Sequence, residues 1–154
     1  HRYTLPVNTI NRDEVYSVLL RLAEKVGRRL RKEDYRGRLV WVWLRWAHFG
    51  STTKHITLKH YIDDGQLIYK EGKKLIDPIQ FKEPVRAIGI GTTLLIKDAK
   101  QLSVLFDDQK RDRLLLAQDS INNRYGEHTI ERARSMHITL RKKVGGFKEP
   151  GQFH

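Results

Sequence analysis

The sequence contains no cysteine. That excludes a disulfide framework and any thiolate metal site, and it makes a reducing, cytoplasmic setting the natural expectation. No apolar run approaches the roughly 20 residues that cross a bilayer. The opening stretch HRYTLPVNT lacks the apolar centre of a secretion signal, so neither export nor membrane insertion is expected. Acidic residues are in short supply: 18 Asp and Glu stand against 30 Lys and Arg in 154 residues, a formal charge of +12. The isoelectric point is near 10.1. Such a surplus attracts polyanions, nucleic acid first and anionic membrane second. The 39% of hydrophobic residues suits a folded protein, and the length suits one domain with its own core.

Periodicity divides the chain into elements. RYTLPV reads as a short strand. NRDEVYSVLLRLAEKVGRRLRKED reads as a helix, with Asn11 as N-cap and Glu14 in the capping-box position. Val15, Val18, Leu19, Leu22, Val26 and Leu30 form its apolar stripe. Two strands follow, at 38–46 and about 53–62, joined by a short turn that makes them a hairpin. Asp63 and Asp64 are candidate caps of a second helix through QLIYKEGKKLI, whose Leu67, Ile68, Leu75 and Ile76 face inward. Gly72 marks a close contact within that helix and Pro78 ends it. VRAIGIGTTLLI is the last strand. A third helix, about residues 108–125, carries a stripe of Leu114, Ala117, Ile121 and Tyr125 and stops at Gly126.

The fold class is therefore α+β. The βαββαβ order packs as a four-stranded, mostly antiparallel sheet with two helices on one face, followed by a C-terminal helix and tail. Residues 1–136 form the domain, and 137–154 form a basic, mobile or partner-dependent tail. The uncovered sheet face of so basic a protein is a candidate nucleic-acid platform.

The segment RLVWVWLRWAHFG holds all three tryptophans, Trp41, Trp43 and Trp46. A strand with one wet face alternates apolar with polar, and this one is apolar on both faces. Burial from both sides, base stacking and contact with another domain all remain open. In the last strand Ala87, Gly89 and Gly91 share a face, flanked by Arg86 and Thr93. A row without side chains lets main-chain N–H groups come close to phosphate oxygens. With Arg86 and Thr93 flanking it, DNA binding by these five residues is the expectation; a bulge or tight packing is the other reading. GIGTT lacks a P-loop lysine, the seven histidines show no zinc-ligand spacing, and no nucleophile–base pair is apparent.

The run GRLVWVWLRWAHF…TTKHITL…DDGQLIY, then PVRAIGIGTTLL…QLSVLF and AQDSINNRYGEHTIERA, resembles the C-terminal little-finger domain of bacterial Y-family translesion DNA polymerases. The resemblance implies a non-catalytic domain that grips primer–template duplex through backbone phosphates. It also implies palm, fingers and thumb domains as partners, and no cofactor here, since the magnesium of catalysis belongs to the palm. In this pattern Val40, Val42, Leu44 and Trp46 face inward. Arg45 faces DNA, Lys54 and His55 contact phosphates, and Thr57 follows on the same strand. Trp41 and Trp43 stand where relatives carry polar or basic residues.

QLSVLF resembles the short peptides by which bacterial polymerases grip the sliding clamp. Gln101 would be the polar hook, and Leu102, Leu105 and Phe106 the plugs. Packing of the same apolar residues under the third helix is the other reading. The alternative to a polymerase domain is a free-standing ferredoxin-like module that binds RNA or DNA. A third reading makes the apolar outer face a protein-interaction surface.

Overall fold

The computed structural model describes residues 1–97, 109–126 and 129–133. Its elements are β1 (Arg2–Thr9), α1 (Arg12–Lys32), β2 (Tyr35–Trp46), β3 (Ser51–Ile62), α2 (Gly65–Ile76), β4 (Val85–Lys97) and α3 (Gln109–Tyr125). The strands form one sheet in the order β1-β4-β2-β3, and each neighbouring pair is antiparallel. This is the α+β arrangement expected from the sequence. The clamp-like segment 101–106 and the tail 137–154 lie outside the described residues.

Helix α1 forms where the apolar stripe predicted it, and all six stripe residues are buried. Its first turn differs in detail. The Asn11 side chain accepts from the Asp13 N–H, while the Asn11 N–H donates to the Thr9 hydroxyl. Thr9 thus supplies the return bond that a capping box would assign to Glu14. Asp13 and Glu14 at the start, and Arg29, Arg31 and Lys32 at the end, match the helix dipole. The Asp64 side chain caps α2 by accepting from the Gln66 N–H at 2.7 Å.

Both helices lie on one face of the sheet. There Leu19 and Val18 of α1 and Ile68 and Ile76 of α2 meet Val40, Val42 and Leu44 of β2 and Ile88 and Ile90 of β4. Gly72 is the predicted close contact, because a Cβ there would come within 2.6 Å of Ile90 Cδ1. Where the helices cross, Gly27 and Gly65 bring the two backbones together. A Cβ on Gly27 would stand 2.5 Å from Gly65 N, and one on Gly65 would stand 2.5 Å from Glu24 Cα.

The link from α2 to β4 is pinned to the start of α1. The Arg12 guanidinium donates to Ile79 O and lies 4.4 Å from the Phe81 ring centroid. The Tyr16 hydroxyl donates to Asp77 Oδ1 at 2.6 Å, and Lys73 Nζ donates to both Asp77 oxygens at 2.9 Å. The bonds from Tyr16 and Lys73 hold the Asp77 carboxyl below its ordinary range, against a small opposing effect of burial. A depressed carboxylate contributes stability above its ordinary pKa and loses it as pH falls through the folded-state value. Asp77→Ala should therefore lower the urea midpoint modestly at about pH 7, and the gap should close toward about pH 2. A gap that stays constant with pH would exclude this linkage.

The third helix departs from expectation. Of the predicted stripe, Leu114 is 65% and Tyr125 66% exposed, Ala117 is exposed and Ile121 half-buried. The buried residues are instead Leu115 and Asn122. Little apolar surface docks α3, and ion pairs make up much of its contact with the rest of the domain. Arg31 clasps Asp119 with two bonds, at 2.6 and 2.9 Å, Arg111 pairs with Asp64, and Arg36 reaches Asp112 at 3.5 Å. Gly126 ends the helix with φ +111°, a left-handed conformation that suits glycine.

Candidate nucleic-acid interface

The sheet face away from the helices is built in rows, because residues directly opposite in paired strands share a face. Thr4, Ala87, Arg45 and Ser51 form one row, and Arg2, Gly89, Trp43 and Thr53 the next. Gly91, Trp41 and His55 form a third, then Thr93, Leu39 and Thr57. None of these rows carries a carboxylate. Val40, Val42 and Leu44 are fully buried on the opposite face. Trp46 packs there edge-on against Phe81. The inward and outward assignments of β2 thus hold.

The glycines prove to be seats for aromatic and cationic side chains. A Cβ on Gly91 would lie 2.5 to 2.9 Å from three atoms of the Trp41 indole, so the ring rests directly on that glycine. A Cβ on Gly89 would meet Arg2 Cγ at 2.9 Å. Crossing at that point, the Arg2 guanidinium reaches 4.8 Å from the Trp43 ring centroid, within cation–π range. Ala87, Gly89 and Gly91 are all buried in consequence. Strand N–H groups also lie in the plane of the sheet, engaged by neighbouring strands. Of the two readings of this row, the geometry favours close packing over direct approach of phosphate to the main chain.

One basic residue lies on the face opposite to expectation, and another reaches its expected side by an unexpected route. Lys54 stands opposite Val42, so it belongs to the helix side of the edge strand and not to the face that carries Arg45, His55 and Thr57. Arg86 keeps its expected side, by way of a bulge. Arg45 pairs with Ala87 and Trp46 with Val85, leaving Arg86 as the extra residue of a bulge. Bulges re-aim side chains, and Arg86 comes to lie 4.9 Å from the Phe49 ring centroid. Arg45 lies 5.1 Å from the same ring.

Phe49 and Arg2 were not singled out from sequence. Phe49 sits in the β2–β3 turn, and Arg2 lies three strands away from Thr53 in its row. Only the strand register brings Arg2 to Trp43, and no local pattern carries that information. Among the described residues, no group of three His, Asp or Glu side chains is placed to share a metal. No helix among them is long and apolar enough to cross a membrane.

Residues 1–104 match the impB/mucB/samB family C-terminal domain. DNA polymerase IV of Moorella thermoacetica is 36% identical over 139 residues, covering 88% of this chain and 34% of that protein. DNA polymerase IV of Desulfatibacillum aliphaticivorans is 33% identical over 136 residues, covering 84% and 34%. The chain thus spans about a third of the length of these relatives. Among solved structures, the complex of a beta-clamp processivity factor with the little finger domain of PolIV matches with a TM-score of 0.53 at 22% identity, covering 64% of this chain and 88% of that one. That likeness bears on the fold.

Proposed function

The chain belongs to the impB/mucB/samB family C-terminal domain, the little finger of Y-family polymerases, and from that premise we propose that it is the non-catalytic grip of a translesion DNA polymerase on primer–template duplex. The observation that carries this reading is the sheet face that no helix covers among the described residues, cationic at Arg2, Arg45 and Arg86 and without carboxylates in its rows. Phosphate contacts position a duplex without reading its sequence, which suits an enzyme that must accept altered templates. His55, Thr57 and Thr93 extend the polar rim, and Trp41 and Trp43 offer flat apolar surface to deoxyriboses. Ala87, Gly89 and Gly91 serve from beneath, keeping the indoles low. Lys54, on the helix side of the edge strand, stands outside this grip. Polymerase chemistry, and the magnesium it uses, is assigned to a palm domain outside this chain, with fingers and thumb beside it. The segment of Gln101, Leu102, Leu105 and Phe106 is assigned to the sliding clamp.

Duplex titrations over a range of salt test the grip. Replacing Arg2, Arg45 and Arg86 together by alanine should weaken duplex binding roughly ten- to thirtyfold at low salt. The slope of log K against log salt should become shallower by about 0.9 for each phosphate that is no longer neutralised. Lys54→Ala, on the other side of the sheet, should change much less. An unaltered slope in the triple variant would refute the assignment, and so would tighter binding to single strands than to duplex.

A further inference from the structure

The β2–β3 turn contains a residue that the turn itself does not favour. The Phe49 N–H donates to Trp46 O at 3.0 Å, and the Trp46 N–H donates to Gly50 O at 2.9 Å. Phe49 closes this turn with φ +67°, the left-handed conformation that glycine adopts readily and a bulky side chain does not. Gly50 follows immediately, and its φ is not in the left-handed range. The chain therefore has its glycine one position away from where the strain lies. Phe49 is also 60% exposed, so burial of its ring does not offset that strain. A strained, exposed aromatic residue calls for a reason outside the stability of the turn.

Its neighbours supply one. The Arg45 and Arg86 guanidiniums lie 5.1 and 4.9 Å from the ring centroid, and the β4 bulge that brings Arg86 there interrupts an otherwise regular pairing. Two like charges gathered about one ring repel, and two long side chains lose much freedom when held. A ring within cation–π distance of both offsets the repulsion and restricts both side chains at once. We propose that Phe49 is a positioning residue that holds Arg45 and Arg86 together as a two-cation grip for the phosphate backbone of duplex DNA. This rests on the duplex reading above.

The test uses the whole 154-residue chain and a defined primer–template duplex. Phe49→Gly removes the ring and relieves the left-handed strain, so the thermal midpoint should hold or rise. Duplex affinity at low salt should fall roughly three- to tenfold. Phe49→Tyr keeps the ring and should keep the affinity. In the background of Arg45→Ala with Arg86→Ala, Phe49→Gly should have no further effect, because nothing remains to position. Three outcomes overturn the proposal. If the arginine pair weakens binding and Phe49→Gly does not, the ring positions nothing. If Phe49→Gly weakens binding equally with the arginines absent, the ring touches DNA itself. If the arginine pair has no effect on affinity or salt slope, this corner does not meet the duplex and the reading beneath the proposal fails first.

Discussion

Gly27→Ala should destabilise the protein by about 2–3 kcal/mol and lower its thermal midpoint by roughly 5–10 °C. The direction opposes helix propensity, since alanine in a helix interior is favoured over glycine by about 1 kcal/mol. Here the new methyl group would stand 2.5 Å from Gly65 N, 2.7 Å from Asp63 O and 2.9 Å from Gly65 Cα. All three are backbone atoms, which no rotamer change can move. Relief requires the start of α2 to shift away from α1, and Asp64, the buried cap of α2, must shift with it. Gly72→Ala provides the comparison. Its methyl would meet Ile90 Cδ1 and Val42 Cγ1, side-chain tips that can yield, so the loss should stay nearer 1 kcal/mol. Calorimetry on the two variants separates the cases. A midpoint raised by Gly27→Ala would mean that the helices do not cross so closely.

That crossing illustrates what was legible in the sequence. Periodicity reports how one element presents itself to a core, so α1 and α2 could be read in advance from their apolar stripes, whereas β2 is apolar on both faces and its inward set, Val40 to Leu44, followed only from the family resemblance. Periodicity carries no information on which element answers. The partner of Gly27 is Gly65, the partner of Gly91 is the Trp41 indole, and each pair is joined only by tertiary structure. Register decides faces in the same way. Strict alternation from Ile88 would turn Arg86 inward, yet a one-residue bulge places it beside Phe49. Lys54 and His55 are adjacent in sequence, and pairing against β2 sends them to opposite faces. The shared face of Trp41, Trp43 and Arg45 was legible, because their spacing on one strand sets it. What lies over and under those rings was not.

The third helix misled for a different reason, and its ion pairs lead to the other large effect. Apolar spacing predicts a docking stripe only if apolar burial does the docking. In α3 it does little of it, and Leu114 and Tyr125 face water while Asp119 meets Arg31. The two side chains of that pair are 10% and 15% exposed. Burial opposes the Arg31 charge, but the bond to Asp119 and the nearby Asp119, Asp63 and Asp64 carboxylates outweigh it and raise its pKa. Arg31→Met should therefore leave a largely buried carboxylate unpaired, at a cost of about 3–5 kcal/mol. It also removes the bond from Arg31 Nη1 to Asp63 O. A helix of 17 residues is marginal alone, so α3 should undock and melt before the sheet does. Amide exchange within 109–125 should accelerate roughly 100- to 1000-fold, while exchange in β2 and β4 stays near its original rate. Replacing both partners, Arg31→Met with Asp119→Leu, removes the unpaired charge and should restore most of the protection. If the double variant exchanged as fast as the single one, the directional clasp of Arg31 on Asp119 would itself be what holds α3, and avoidance of a buried charge would not account for the pair.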